Sequence, residues 1–248
     1  MKTSIELDGQ VFETNLNKPT DLSIPLSSTD KNPLAWYLNK PKIYPVHDGN
    51  WVAKVSEGAA VNFNTIQFNP HAHGTHTECL GHISEKFHSV HDVLNRYFFK
   101  AKLISLTPKE KNEDQIIDRE MLKGKLSNRE AEAVIIRTLP NSEEKLSKNH
   151  SHSNWPFLTG KAAEYLVECG VDHLLIDLPS VDKEKDDGKL SAHHSFWQFP
   201  ENPRHHATIT ELIFASDDLP DAYYLLNLNF ARFVNDAAPS RPVVYPLF

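Results

Sequence analysis

Alternation of apolar and polar residues predicts strands in the N-terminal third of the chain. Residues 60–68 mostly alternate in this way, which is typical of a strand with one buried face. Two shorter runs, residues 3–7 and 10–13, flank Asp8 and Gly9, a turn pair that is common in β-hairpins. The pattern therefore predicts an N-terminal hairpin and, later, a half-buried strand.

Farther along the chain, continuous apolar runs predict buried strands, and two segments have the pattern of helices. One helix is predicted at residues 159–170, with Thr159 as its N-cap and Gly170 at its end, and a shorter one at residues 118–123. The predicted strands are residues 99–106, 133–138, 171–177, 208–214 and 223–229. Strands outnumber helices and no linker interrupts them, so we predict a mixed α/β (α+β) fold with a β core, in a single domain over residues 1–248.

Composition and charge narrow the classes of function. The chain carries a formal net charge of −7 and no long basic run, so we expect no nucleic-acid partner. No apolar run reaches the roughly 18 residues of a spanning helix, and the N-terminus lacks the apolar core of a signal peptide. We therefore expect no membrane association and a cytoplasmic location. Two cysteines, Cys79 and Cys169, form no disulfide framework, which agrees with a reducing compartment.

Histidine is concentrated in one part of the chain. Six of the 14 histidines lie between residues 71 and 91. Gly74 is expected to let a short loop turn several side chains toward one point. Five residues with nitrogen or carboxylate ligand atoms fall close together here: His71, His73, His76, Glu78 and His82. Imidazole and carboxylate are suitable ligands for zinc, manganese or iron(II), so this segment predicts a divalent-metal site.

An alternative competes with this interpretation. A single histidine is more often a surface or hydrogen-bonded structural residue than a ligand, and the cluster has neither zinc-finger nor zincin spacing. His88 and His91 are interpreted as ordinary loop or helix residues, and Cys79 as a small buried residue. His82, four residues past Glu78, is a candidate general base.

A set of ordered motifs raises the specificity of the metal hypothesis. Residues 74–82 are Gly-Thr-His-Thr-Glu-Cys-Leu-Gly-His, and further motifs are residues 176–182, 192–193, 210–212 and 239–245. This order resembles the cyclase-like metal hydrolases that include bacterial kynurenine formamidase and isatin hydrolase. Their signature is His-x-Gly-Thr-His-x-Asp-x-Pro-x-His, and here Glu78 replaces the Asp and Leu80 replaces the Pro.

The resemblance implies a swivelling β/β/α-type fold with a site for one or two divalent ions, zinc or manganese. It implies that His76 and Glu78 are metal ligands, with Glu78 bridging two positions. It also implies that His193 and Glu211 complete the second position, and that His82 acts as a proton shuttle.

One departure from the signature leaves the first ligand open. The family's first histidine corresponds to Ala72, which His71 and His73 flank. One of the two must take its role if the site is intact, and we favour His71. Structural roles are expected for the other polar candidates, which are Asp177, Asp182, His194, His205 and His206.

These expectations converge on hydrolysis of a C–N amide bond in a small substrate, with an N-formyl aryl amine such as N-formylkynurenine as the model. The alternatives are a metal-dependent cyclase or dehydratase, and a non-catalytic metal-binding protein. By analogy with other members of that family, we also expect the chain to assemble into a homo-oligomer. The four tryptophans are interpreted mostly as core residues, of which one or two could line a pocket for a flat aromatic substrate: Trp36, Trp51, Trp155 and Trp197.

Overall fold

The computed structural model describes residues 1–248 as eighteen strands and four α-helices. The first strands are β1 (Lys2–Leu7), β2 (Gln10–Asn15), β3 (Thr20–Asp21), β4 (Lys42–Pro45), β5 (His47–Asp48), β6 (Trp51–Val52) and β7 (Asn64–Gln67). The others are β8 (His76–Glu78), β9 (Phe98–Leu106), β10 (Lys109–Lys111), β11 (Asp114–Ile117), β12 (Ala133–Thr138), β13 (Phe157–Leu158), β14 (His173–Ile176), β15 (Thr208–Glu211), β16 (Tyr223–Asn227), β17 (Ala237–Pro239) and β18 (Val243–Pro246). The helices are α1 (Pro70–His73), α2 (Arg119–Lys123), α3 (Gly160–Glu168) and α4 (Ser191–Trp197).

Nine of the strands form one sheet, in the order β17–β8–β15–β14–β12–β9–β16–β18–β3. Its centre, from β15 to β9, is parallel, and the strands on both sides join it in antiparallel fashion. The central strand β12 is buried at all six positions, as expected for a parallel strand that is covered on both faces. The predicted mixed α+β fold around a β core is confirmed.

Two apolar clusters bury the two faces of the central sheet. Val134 and Ile136 of β12 belong to the larger cluster, and the alternate residues Ala133 and Ile135 belong to the other. The larger cluster also contains buried residues of α3 and α4, such as Phe196. Burial of each large aliphatic side chain contributes about 1.5–3 kcal/mol. The packing of α4 on this layer fixes the helix that carries His193.

The local signals in the sequence correctly predicted the ends of α3 and the N-terminal hairpin. Thr159 caps α3 by accepting the backbone N–H of Ala162 at 3.2 Å, and Gly170 follows the helix with φ of 78°. β1 and β2 pair around Asp8 and Gly9, which both have the positive φ of a tight hairpin turn. None of the helices is both long and apolar enough to cross a membrane.

The prediction of a half-buried strand at residues 60–68 was wrong in length and in burial. β7 covers only Asn64–Gln67, and all four residues are exposed, with Ile66 at 55%. β7 pairs with β4 in a separate two-stranded ribbon. This ribbon lies outside the central sheet, so no second layer covers the face that alternation marked as buried.

The strand predicted at residues 208–214 ends early. Leu212 adopts a φ of 52°, which turns the chain out of β15 after Glu211. As a result Ile209 packs in the larger apolar cluster and Ile213 in the other. Ile213 therefore does not share a face with Ile209, although Glu211 itself is buried.

Candidate metal centre

Strand β8 brings candidate residues from the two halves of the chain together. In the antiparallel pair of β8 and β15, His76 lies opposite Glu211. Residues opposite each other in such a pair project from the same face, and His76 Nε2 lies 3.4 Å from Glu211 Oε2. Glu211 Oε1 accepts the backbone N–H of Val181 at 2.8 Å and lies 3.9 Å from His193 Nε2. The register of β8 and β15 therefore brings His76 and Glu211, which belong to motifs that are far apart in sequence, into one cluster.

His71 reaches this cluster from a short helical turn, whereas a loop was expected. Helix α1 begins at Pro70, whose restricted φ suits the first helical position. His71 Nδ1 lies 3.1 Å from Glu78 Oε2. The role predicted for Gly74 was wrong, because its φ of 163° and ψ of −172° are extended backbone that any residue adopts.

His73 faces away from the cluster. Its Nδ1 accepts the backbone N–H of Asn69 at 2.8 Å, so its Nε2 carries the proton and donates to the carbonyl oxygen of Asn39, also at 2.8 Å. Burial lowers the pKa of His73, which favours this neutral form. Both ring nitrogens are therefore engaged, and the structure places His71, not His73, beside Glu78.

His76 and His193 each bind the protein through one ring nitrogen and direct the other inward. His76 Nδ1 donates to the carbonyl oxygen of Gly74 at 3.0 Å. His193 Nδ1 donates to Asp182 Oδ2 at 2.6 Å, and Asp182 also accepts the backbone N–H groups of Ala192 and His193. Because these oxygens only accept, both histidines donate to them through Nδ1, and Nε2 is the nitrogen of each ring that is directed to the cluster. Asp182 thus orients the His193 ring and the start of α4, which is a structural role of the kind predicted.

Glu78 is the carboxylate common to both sides of the cluster. It is fully buried, and its Oε1 lies 3.0 Å from His193 Nε2. The ligand atoms of His71, His76 and Glu78 all lie within 4.8 Å of one another, and so do those of Glu78, His82 and His193. Two groups of three potential ligands therefore share Glu78.

The centre of the cluster contains unpartnered lone pairs. His76 Nε2 and Glu78 Oε2 are buried and have no hydrogen-bond partner, although His71 Nδ1 is only 3.1 Å from Glu78 Oε2. A buried acceptor left in this state costs about 1–3 kcal/mol. Zinc ligands at about 2.0–2.2 Å from the ion are separated from each other by roughly 3–3.5 Å. The spacing and chemistry of these atoms therefore fit a divalent metal ion.

The buried carboxylates also make the cluster attractive to positive charge. Burial alone would lower the pKa of His71, but Asp236 and Glu78 raise it to about 10. Against the same burial, Asp182 and Glu78 raise the pKa of His193 well above its ordinary value. Burial would raise the pKa of Glu78, yet the histidines around it hold it well below its usual range. The cluster thus stabilises either bound protons or a cation.

His82 lies on the accessible side of the cluster, beside an acid that sequence reasoning missed. Its ring stacks on that of His71 with 4.3 Å between centroids, and its side chain is 30% exposed. Asp236 Oδ2 accepts from His82 Nδ1 at 3.2 Å and from His71 Nε2 at 2.9 Å. The one signal for Asp236 was its position three residues before the C-terminal motif at 239–245.

The remaining histidine candidates lie outside the cluster. His88 contacts His205, with 4.8 Å between ring centroids. His194 donates to the carbonyl oxygen of Phe199 at 3.0 Å, and His206 lies 3.0 Å from a carboxylate oxygen of Asp172. His91 bonds to a serine hydroxyl at 2.7 Å. These contacts agree with structural roles.

The other candidates also have structural surroundings. Cys79 is buried, and burial raises the pKa of its thiol to about 11, which leaves it neutral. Asp177 accepts two hydrogen bonds from the last residue of β12. Trp155 and Trp197 are buried in the core, whereas Trp51 is exposed.

Comparison with known proteins agrees with this geometry. A family model described as "Putative cyclase" matches residues 20–183. The chain belongs to the Cyclase family. The matched region includes His71, His76, Glu78 and His82, so the first half of the cluster lies within the part that defines a Cyclase.

Relatives with known names extend the Cyclase similarity to the rest of the chain. A kynurenine formamidase of Bacillus thuringiensis (strain Al Hakam) is 27% identical over 229 residues, covering 92% of this chain and 97% of that protein. Isatin hydrolase A from Ralstonia solanacearum has a similar fold, with a TM-score of 0.66, 16% identity and coverage of 92% and 91%. A predicted metal-dependent hydrolase from Bacillus stearothermophilus gives a TM-score of 0.64, 19% identity and coverage of 92% and 98%. The predicted family and its fold are confirmed.

Metal binding to this Cyclase centre is expected to release protons. With its pKa near 10, His71 is protonated at pH 7–8 in the metal-free protein, and a metal ligand must give up that proton. Affinity for manganese should therefore rise with pH up to about pH 10. Titration calorimetry in two buffers of different ionisation enthalpy should give different apparent enthalpies. Identical enthalpies in both buffers would contradict this assignment.

Glu211→Gln is expected to reduce the metal content or the turnover while leaving the fold intact. Glutamine has the same shape and keeps an oxygen to accept the Val181 N–H, but it removes one negative charge from the cluster. Elemental analysis, an activity assay and circular dichroism would measure the three effects. The exposed Glu201→Gln serves as the matched control. Wild-type metal content together with wild-type turnover would exclude Glu211 from the site.

Proposed function

We propose that this chain is a metal-dependent hydrolase that cleaves a C–N amide bond in a small substrate. The observation that carries the proposal is the pair of buried, unpartnered atoms, His76 Nε2 and Glu78 Oε2, at the point where three histidines and two carboxylates converge. Similarity to a kynurenine formamidase and to isatin hydrolases supports an amide as the substrate.

The ion is zinc or manganese, since imidazole nitrogen and carboxylate oxygen suit both. His71, His76 and Glu78 would hold one ion. A second ion would have Glu78 in common with the first, and His193 and Glu211 as its other ligands. When bound, such an ion polarises a carbonyl oxygen and lowers the pKa of a water molecule.

His82 supplies the proton transfers. Its Nδ1 donates to Asp236, so its Nε2 carries a lone pair. That nitrogen accepts a proton as water attacks the amide carbonyl, and the same proton is returned to the leaving nitrogen, which departs as a neutral amine. A positioned acid–base group of this kind contributes typically 10²–10⁴-fold to the rate.

The substrate approaches from the side of His82. At the cluster, the exposed side chains are His82 at 30%, Asp236 at 25% and His71 at 19%, whereas His76, Glu78 and their inward partners are buried. We expect the carbonyl of an N-formyl aryl amine to reach the cluster from this side. This compound class is the model substrate.

The family description supports a second candidate, a metal-dependent cyclase or dehydratase. The same cluster could activate a carbonyl for ring closure or loss of water, with His82 again moving the proton. The two candidates differ in their products, because hydrolysis adds the elements of water to the substrate, whereas cyclisation and dehydration do not.

A combined metal and substrate assay tests the proposal. The purified protein should contain zinc or manganese by elemental analysis. The metal-loaded protein should convert N-formyl aryl amines or cyclic amides such as isatin to the hydrolysed products, detected by mass spectrometry. The matched control, His88→Ala, changes a histidine outside the cluster and should retain both properties.

Two outcomes would contradict the proposal in different ways. A protein that neither retains nor takes up zinc or manganese would rule out the metal centre. A metal-loaded protein that turns over none of the formyl amides and cyclic amides, but dehydrates or cyclises a hydroxy-carbonyl compound, would replace the hydrolase with the second candidate.

A further inference from the structure

Asp236 accepts hydrogen bonds from two histidines of the cluster through a single carboxylate oxygen. Its Oδ2 lies 2.9 Å from His71 Nε2 and 3.2 Å from His82 Nδ1. The main chain beside it is held by hydrogen bonds, because its carbonyl accepts the N–H of Cys79 at 3.0 Å and the carbonyl of Asn235 accepts the N–H of Val90 at 2.8 Å. The carboxylate is therefore presented from a fixed backbone.

This contact determines which nitrogen of each ring carries a proton. A carboxylate oxygen only accepts hydrogen bonds, so His71 donates through Nε2 and His82 donates through Nδ1. When a metal ion is bound, the opposite nitrogen of each ring would therefore carry a lone pair. His71 Nδ1 lies 3.1 Å from Glu78 Oε2 inside the cluster, whereas the hydrogen bond of His82 is made through Nδ1 and its side chain is 30% exposed. One acid thus sets opposite tautomers in two stacked rings.

The other histidines of the cluster have partners of their own. His76 donates to the carbonyl oxygen of Gly74, and His193 donates to Asp182. Neither partner contacts a second histidine of the cluster. An outer partner that accepts from a ligating histidine fixes ring orientation and raises ligand strength, and its loss typically lowers metal affinity 10–100-fold. Asp236 differs because it acts on both a metal-facing ring and a solvent-facing ring.

We propose that Asp236 is a positioning residue that couples metal binding through His71 to proton transfer through His82. The inference rests on the proposed function, which assigns those two histidines their roles. Asp236 itself stays on the outer side of both rings. Its removal should therefore weaken metal binding and, separately, slow turnover of protein that is saturated with metal.

The test measures zinc affinity and turnover in the same variants. For Asp236→Ala, competition against a chromophoric chelator should show zinc affinity about 10–100-fold weaker. Its kcat at saturating zinc should fall by about 10-fold or more, because His82 loses the acceptor that holds its Nε2 free. Asp236→Asn restores an acceptor oxygen and should recover part of both losses. The matched control is Asp92→Ala, an exposed acid 3.0 Å from His91 outside the cluster, which should change neither quantity.

A second measurement needs no variant. Nitrogen-15 spectra of the histidine rings in the zinc-loaded wild-type protein should show His82 protonated at Nδ1 and His71 protonated at Nε2. The opposite tautomer at His82 would overturn the proposal, even if Asp236→Ala fails to fold. So would an Asp236→Ala protein that loses zinc affinity but keeps wild-type kcat at saturating zinc. Absence of both zinc and manganese binding by the wild type would instead mark failure of the proposed function, and the inference would fall with it.

Discussion

His76→Ala is expected to lose most of its bound metal and with it nearly all turnover. The His76 Nε2 atom is a buried lone pair without a hydrogen-bond partner, beside Glu78 and Glu211. Removing the imidazole takes away one of the few ligands. It also leaves the negative charges of Glu78 and Glu211 with one fewer group to balance them. The loss of metal affinity should exceed the 10–100-fold that is typical of an outer partner. Elemental analysis of the purified protein and chelator competition would measure it.

The neighbouring histidines provide the controls for this experiment. His71→Ala should resemble His76→Ala, because Nδ1 of His71 faces Glu78. His73→Ala should retain metal, since both nitrogens of His73 bond to the backbone outside the cluster. Metal content close to wild type in His76→Ala would refute the assignment of His76 as a ligand. Metal loss in His73→Ala without loss in His71→Ala would reverse the choice of first ligand.

His82→Ala is expected to lower turnover by roughly 10²–10⁴-fold, the usual range for a general acid–base group, with little change in metal content. The reason is geometric, because His82 bonds to Asp236 through Nδ1, which leaves Nε2 as the nitrogen that can transfer a proton, and its side chain is 30% exposed. Steady-state kinetics at saturating metal and elemental analysis of the same preparation separate the two effects.

Added imidazole gives this second experiment an internal check. If His82 transfers protons, free imidazole should restore part of the turnover of His82→Ala, because it supplies the missing base. It should not restore His76→Ala under the same conditions. Loss of metal from His82→Ala as large as that from His76→Ala would place His82 among the ligands.

Local sequence signals and the periodicity of hydrophobic residues predicted much of the fold. The β-branched run at residues 133–138 is a strand buried on both faces, and Thr159 caps the predicted helix. The dense cluster at residues 71–82 pointed to one site, since neighbours in sequence are neighbours in space. The approach of Glu211 to His76 came from the family resemblance, and its direct cause is the register of β8 and β15.

Other features depend on packing that has no local signature. Nothing within residues 60–68 shows that β7 belongs to a peripheral ribbon and lacks a covering layer. The positive φ of Leu212 ends β15 inside an apolar run that contains no glycine or proline to mark a turn. Asp236 meets His71 and His82 only because β17 pairs with β8. Each of these outcomes is decided by a long-range partner.

The helical turn α1 has a consequence for how related chains are found. His71 stands one residue farther from Gly74 than the first histidine of the family signature. A helix advances only about 1.5 Å per residue against about 3.3 Å in a strand, so winding at Pro70–His73 absorbs the extra residue and the ring still reaches Glu78. A fixed-gap motif search would discard such sequences. Allowing a gap of one or two residues before Gly-Thr-His should recover genomic relatives in which Pro-His-Ala-His replaces the shorter spacing.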